Sequence, residues 1–365
     1  MPEGDTIHRS ATALRAALIG KIMTGFEAPR LSGLSPARGS TIERVTSRGK
    51  HIEIGWDDGV VLHTHMRMTG SWHLYRPGER WRKSSKHMRA VIEVEGFEAV
   101  CFNAPVVETY REGDVVAHPG RGGLGPDLTD EHSDLDECVE RIPRFCDEGT
   151  TAAEMLLDQR IACGVGNVYK SEVLWACGVH PLTPVAALDL ETRAALIDTA
   201  ASFLQANLEQ PARVTLPGSA DGVAVYGRYG KPCYRCGQPI EVRRYGEQSR
   251  VTYWCDNCQE RLDLERQEWS RAGAPTPVDL ASAKERRRPP VLFDDSGDLT
   301  GPVDHEQVAP ALERHPASQR LLSGFPPRGP EPHFVDPLLG REHAGPYDDG
   351  DDEDGGGAEG VRSIG

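Results

Sequence analysis

At 365 residues the chain is long enough for two or three separately packed domains, but at 38% hydrophobic and 6% aromatic it is too polar to be one large globule. The net charge of −15 excludes a globally basic nucleic-acid coat: residues 261–365 carry 12 Lys+Arg against 21 Asp+Glu and residues 1–260 carry 29 against 35, so any polyanion site must be a local basic patch. No apolar signal region opens the chain and no run of about 18 apolar residues occurs, so a cytosolic protein without a membrane span is expected, and its nine cysteines suit thiols or metal ligands better than disulfides.

The chain starts MPEGD. A small second residue favours removal of the initiator methionine, which would leave Pro2 with a free secondary amine. The reference pKa of an α-amine is about 7.7–8.0, so about a tenth or more is unprotonated and nucleophilic at neutral pH. A helix that starts just beyond it would disfavour an added proton through its positive dipole end. A secondary amine that attacks an aldehyde-level carbon yields an iminium ion, an electron sink that needs no further proton. Glu3 stands beside it as a general acid. Read alone, PEG fits a merely rigid chain start better.

DTIHRSATALRAALIGK predicts a helix: Ile7, Ala11, Leu14 and Leu18 form one apolar stripe, Asp5 or Thr6 offers an N-cap, and Gly20 closes the end. From Ile22 to Cys101 the runs IERVTS, KHIEIGW, GVVLHTHMRM, SWHLYR, RAVIEVEG and FEAVCF predict short strands in a sandwich of antiparallel sheets. HPGRGGLGPDLTDEHSDLDE (118–137) reads as a Gly- and Asp-rich connector. TTAAEMLLDQRIACGVGNVYKSEVLWACGVHP predicts two helical stretches around a glycine turn. Asn167 stands where the second begins, and the free N–H groups there suit a phosphate. By itself the segment fits a plain helical hairpin better. Residues 187–208 predict another amphipathic helix, and VAVYGRYGKPC a short β-like segment.

CYRC (233–236) and CDNC (255–258) stand 18 residues apart. Cys233, Cys236, Cys255 and Cys258 in this spacing suit a tetrahedral zinc site, with four unligated structural cysteines as the alternative. PIEVRRYGEQSRVTYW between them suits a β-hairpin. Arg243, Arg244 and Arg250 within it, and Arg235 beside it, suit a polyanion backbone, although a solvated structural hairpin accounts for them too. Residues 270–365 are rich in Pro and Gly and end in DDGDDEDGGGAEG, a composition expected to be disordered.

MPEGD, SRGKH (47–51), THMRMTGSW (64–72), LLDQRIACGVGNVYKSEVLWACGVHP (156–181) and SRVTYWCDNCQ (249–259), in this order, closely resemble the formamidopyrimidine-DNA glycosylase / endonuclease VIII family of base-excision repair. The likeness covers about residues 1–260, and PEG, RGK and YWC look more like the endonuclease VIII branch. Elements and resemblance together imply an α+β multidomain chain. Its parts would be an N-terminal helix and antiparallel β-sandwich (1–120), a linker (121–145), a helix–two-turn–helix domain (146–222), a zinc-finger hairpin (223–260) and a disordered acidic tail (261–365). The resemblance further implies a bifunctional glycosylase and abasic-site lyase, with oxidised pyrimidines favoured. Oxidised purines, or silent sensing of abasic or kinked DNA, are the alternatives.

On that pattern Pro2 is the nucleophile that forms a Schiff base with C1′ and Glu3 is the proton donor. Lys50 serves β-elimination, and Arg250 binds phosphate and assists δ-elimination. Asn167 grips backbone phosphate, and Arg67, Met68 and Thr69 fill the void left by the flipped base. Arg121 is expected to stand in for an arginine that relatives carry where this chain has Gly123. Asp5-Thr6 replaces a Pro-Glu common in relatives, so a second carboxylate near the nucleophile is expected to be missing. Arg67 replaces a glutamine common in the endonuclease VIII branch. One structural Zn2+, no cofactor for catalysis, a damaged or abasic duplex as partner, a monomeric state, no membrane association and a bacterial cytoplasmic setting at the nucleoid complete the expectation.

Overall fold

The computed structural model describes residues 2–113, 123–246 and 249–262. Arg121 and residues 263–365 lie outside the described residues, and with them the expected loop contact and nearly all of the expected disordered tail.

Helix α1 (Gly4–Leu18) buries the predicted stripe: Ile7, Ala11, Leu14 and Leu18 are each at most 1% exposed. Burying each of the larger three contributes about 1.5–3 kcal/mol. Asp5 and Thr6 lie inside the first turn and not at the cap. The N-cap is Glu3, whose side chain makes no cap bond to its own helix. Gly20, at φ 75°, takes the left-handed conformation that ends the helix.

The stripe packs on two four-stranded antiparallel sheets. Their strands are β1 (Met23–Glu27), β2 (Ile42–Arg48), β3 (His51–Trp56), β4 (Val60–His65), β5 (Ser71–Tyr75), β6 (Met88–Val94), β7 (Phe97–Phe102) and β8 (Val106–Arg111). Strand order is β1-β6-β7-β5 in one sheet and β2-β3-β4-β8 in the other. The apolar runs revealed neither β1 nor β8. Both are edge strands, paired along one side, so MTGFE and VVETYR need no continuous apolar face.

The remaining helices are α2 (Leu135–Phe145), α3 (Ala152–Leu157), α4 (Asn167–Ala176) and α5 (Leu190–Ala206). α2 falls in the segment expected as a linker. Asp134 caps it by accepting the N–H of Glu137, and Cys138, Val139 and Ile142 enter the same core as Leu196, Ile197 and Ala200 of α5. That core also takes Ile240, Val242 and Tyr253 from the hairpin of β9 (Glu241–Tyr245) and β10 (Arg250–Trp254). Hairpin and helices therefore share one interior.

The expected β-like segment VAVYGRYGKPC forms turns, with isolated β-bridges at Tyr229 and Pro232. The buried Glu172 carboxylate accepts the N–H groups of Ala224, Val225 and Tyr226, which are then no longer available for a strand ladder.

Candidate active site

The first residues of the chain are stitched into the helical layer. Glu3, 1% exposed, accepts the N–H of Gly166 (3.0 Å), Val168 (2.8 Å) and Tyr169 (3.2 Å). These are the unsatisfied donors at the N-terminus of α4, where negative charge is favoured. Close approach explains the glycines of PEG and GVG. A Cβ on Gly166 would collide with the Glu3 carboxyl, and one on Gly4 would come within 2.9 Å of Gly164 Cα.

Asp5 is fully buried, but its carboxylate turns away from the cleft that Pro2 and Glu3 line. Arg213 donates to it through Nη2 (2.5 Å) and Nε (3.2 Å), and Arg9 lies 3.4 Å away. The remaining Arg213 nitrogen, Nη1, is 3.8 Å from Glu3, and the guanidinium lies over the Tyr169 ring. Burial opposes the charge on Asp5, but Arg213 and Arg9 outweigh it and hold its pKa below the ordinary value. The residue that departs from the family pattern is thus an anchor for the chain start.

Around the same cleft, of about 1070 Å³, stand Lys50, His65, Arg67, Met68, Asn167, Lys170 and Arg250. Lys50 sits on the turn between β2 and β3. Gly49 makes the turn at φ 57°, donates to Asp127 Oδ2 (2.7 Å), and has room for no side chain against Cys163. Burial, with the Arg250 guanidinium nearby, pushes the Lys50 amine below the ordinary lysine value, while Glu3 pulls the other way.

At the end of β4, Arg67 is held at φ 42° and Met68 is 50% exposed. The Thr69 hydroxyl donates to Asn103 O (3.4 Å). All three side chains are exposed, and Arg67 and Met68 line the cleft.

Sequence reasoning assigned no role to His65, which lines the cleft beside Lys50. Burial, followed by Arg67, His63 and Lys50, pushes it down to about 4, so its ring is neutral at physiological pH. It stacks on His51 at 4.2 Å, and His51 Nδ1 lies 2.7 Å from His63 Nε2. His63 Nδ1 in turn meets Glu108 (2.9 Å). The Glu108 carboxylate can only accept, so it places a proton on His63 Nδ1. The alternation in KHIE and LHTH is the signal for this array, since it puts these histidines on one face of neighbouring strands.

The opposite wall is built from α4 and β10. Asn167 Nδ2 donates to Val251 O (2.7 Å), and the amide also meets the Tyr226 hydroxyl. Lys170 donates to Asn167 Oδ1 (2.8 Å) and Thr252 Oγ1 (2.7 Å). Arg250 opens β10 and faces the same cleft. Lys170 and Tyr226 were not singled out from the sequence.

Behind this wall lie Cys233, Cys236, Cys255 and Cys258, whose sulfurs all lie within 4.8 Å of one another. The pairs Cys233–Cys258 and Cys236–Cys255 are 3.9 and 3.4 Å apart. A tetrahedral ion with metal–sulfur bonds of about 2.3 Å requires sulfurs about 3.8 Å apart, so the four fit a structural metal. The Gln259 amide accepts from Cys255 N and donates to Val179 O, tying the finger to the helical layer. Arg235, expected to meet a polyanion, instead donates to the carbonyls of Trp175 and Ala176 and lies 4.2 Å over the Trp175 ring. It caps the C-terminus of α4, where backbone carbonyls lack partners.

Pro2, the Glu3 carboxylate, several cations and the exposed Met68 thus converge on one cleft, an arrangement suited to a polyanion and to proton transfer. Residues 1–105 match the family model described as formamidopyrimidine-DNA glycosylase N-terminal domain, and residues 124–216 match the formamidopyrimidine-DNA glycosylase H2TH domain. Probable endonuclease 8 2 of Streptomyces coelicolor is 38% identical over 267 residues, 71% of this chain and 94% of that protein. DNA-(apurinic or apyrimidinic site) lyase Nei2 of Mycolicibacterium smegmatis is 35% identical over 266 residues, 71% of this chain and 99% of that protein. The crystal structure of the MutM (Fpg) protein from Thermus thermophilus matches with a TM-score of 0.61 at 27% identity, covering 72% of this chain and all of that one. A Lactococcus lactis Fpg in complex with abasic-site DNA, at 22% identity, a TM-score of 0.61 and coverage of 71% and 100%, shares the fold.

Proposed function

The chain belongs to the formamidopyrimidine-DNA glycosylase / endonuclease VIII family of base-excision repair, and from this premise we propose that it is a DNA glycosylase and abasic-site lyase that removes oxidised pyrimidines through a Schiff base on Pro2. One observation carries the reading: the Glu3 carboxylate is fixed on the N-terminus of α4 beside Pro2, in a cleft that Lys50 and Arg250 also line.

The damaged base must leave the stack before the amine can reach the sugar, at a cost of a few kcal/mol. Met68 enters the gap as an apolar plug and Arg67 hydrogen-bonds the orphaned base. With Met1 removed, the Pro2 nitrogen bonds to C1′. The glycosidic bond breaks with its electrons on the departing base, and the C1′–O4′ bond opens to give the iminium. Base and O4′ each need a proton. The amine supplies one and solvent the other, and Glu3, beside the amine, relays them. Loss of the C2′ proton expels the 3′ phosphate by β-elimination, with the Lys50 amine as acceptor. Loss of the C4′ proton then expels the 5′ phosphate, which Arg250 neutralises as it leaves. Water hydrolyses the remaining iminium and frees Pro2.

Zinc is the ion proposed for the four thiolates, and its part is to hold the Arg250 hairpin in place. The chain is proposed to act as a monomer, since one copy supplies every residue named. Among the described residues no helix is long and apolar enough to cross a membrane, and a cytoplasmic, nucleoid-associated setting is part of the proposal.

The test is borohydride reduction during incubation with abasic-site DNA. A covalent adduct on Pro2, lost in Pro2→Gly and blocked when Met1 is retained, is expected. Equal trapping with Met1 retained would refute the Schiff-base route. Base release from oxidised-pyrimidine and oxidised-purine duplexes then ranks the lesions, and faster release of purines would overturn the pyrimidine preference.

A further inference from the structure

We propose that Lys170 is a positioning residue for phosphate recognition, an ammonium that sets the orientation of the Asn167 amide and ties α4 to β10. The inference rests on the reading of Asn167 as a phosphate ligand.

Lys170 lies one helical turn beyond Asn167 on the same face of α4. It is 1% exposed, and its three N–H groups meet three acceptors: Asn167 Oδ1 (2.8 Å), Thr252 Oγ1 (2.7 Å) and Val251 O (3.4 Å). An ammonium has donors and no acceptor. Whatever faces it must accept, so Oδ1 of Asn167 points at Lys170. The NH2 end is thereby turned towards the Val251 carbonyl and the cleft. A flipped amide would set N–H against ammonium and oxygen against the Val251 carbonyl. Lys170 and the Val251 carbonyl thus act from opposite ends to decide which end of Asn167 a phosphate oxygen would meet, and the phosphate needs the donor end.

The same three bonds fasten strand β10, which begins with Arg250, to the start of α4. A methionine would fill the same space without the cost of burying a charge, but would leave Asn167 Oδ1 without the donor that faces it and so weaken the hold on the amide. Burial and the Arg250 guanidinium push the Lys170 amine down to about 7, against the pull of Glu3, so the ammonium form that fixes the amide predominates below that pH.

The test is a double-mutant cycle on affinity for a duplex with a tetrahydrofuran abasic analogue, with melting temperatures measured alongside. Asn167→Ala and Lys170→Met are each expected to weaken binding about tenfold. The double variant is expected to bind within about threefold of Asn167→Ala, because Lys170 acts through an amide that is no longer there. Single-turnover rates at saturating DNA are expected to stay within about threefold of the parent for Lys170→Met. Thr252→Val, which keeps the packing, provides a second cycle should Lys170→Met fold poorly. It is expected to weaken binding in the parent but not in Asn167→Ala. Multiplicative losses in both cycles, or parental affinity in Lys170→Met, would overturn the inference alone. Parental affinity in Asn167→Ala would overturn the reading of Asn167 and the inference with it.

Discussion

On the sandwich side of the cleft, the side chains proposed for chemistry and for filling the gap stand on the chain start and on turns. Met68 is half exposed, Arg67 is held in a left-handed backbone conformation, and Lys50 follows a glycine turn. On the helical side, Asn167 and Lys170 are 4% and 1% exposed, and their polar atoms are already engaged with β10 before any DNA arrives. The difference follows from the tasks. Groups that must meet a rearranging nucleotide need room, whereas groups that grip an invariant phosphate gain from being pre-organised in a packed network. Glu3 belongs to both walls, as a carboxylate from the chain start seated in the N-terminus of α4.

Four experiments break or sharpen this division. The largest effect is expected for Glu3→Gln, whose single amide oxygen can keep the Gly166 and Tyr169 N–H groups but sets its NH2 against the Val168 N–H. Single-turnover base release should fall on the order of 10²–10⁴-fold, with affinity for abasic-analogue DNA changed by less than about threefold. An equal loss of affinity would dissolve the distinction between the walls. Next comes the metal: chelation or Cys255→Ser should abolish strand cleavage and DNA binding together, while near-ultraviolet circular dichroism still reports a folded sandwich around Trp56 and Trp72. Cleavage that survives proven metal loss would remove the finger from the gripping wall.

Asp5→Asn tests the anchor between them. It leaves Arg213 buried beside a neutral partner, for an expected cost of about 3 kcal/mol in urea unfolding at pH 7. The folded pKa of Asp5 lies below the ordinary value of 3.8, so its stabilisation is complete above that value and is lost as pH falls through the folded pKa. The gap between parent and variant should therefore shrink as pH falls below 3.8. A constant gap would show that Asp5 is not the titrating group. The smallest effect concerns salt. Three or four phosphate contacts predict a log–log slope of binding against salt of about −3. Arg250→Gln should reduce it by about one, whereas Met68→Ala, which removes no charge, should leave it unchanged. A slope altered by Met68→Ala would place a charge contact on the wedge.

Much of the framework was legible because it is made by local patterns. The 7–11–14–18 stripe predicted the buried face of α1, and alternation predicted most of the sandwich strands. Paired CxxC motifs predicted a four-sulfur cluster, and the order of the motifs indicated the family. Readings failed where a local pattern met a remote partner. VAVYG has strand propensity, but Glu172, some fifty residues earlier, takes its N–H groups. DLDECVERIPRF looked like a connector, with acidic residues and a proline, yet its apolar face completes the core against α5. Arg235 is basic and near the hairpin, but the C-terminus of α4 claims it.

The sequence by itself determined most of the elements, the thiolate set and the candidates for nucleophile and acid, because helical periodicity, strand alternation and metal-ligand spacing each close within a short stretch of chain. Only the tertiary structure decided what those residues touch. Glu3 finds its donors 163 to 166 residues away, Asp5 finds Arg213 at a separation of 208, and Lys170 finds Thr252 at 82. A buried charge takes whichever partner the fold brings within hydrogen-bonding distance, and that choice depends on how the layers pack and not on any local spacing.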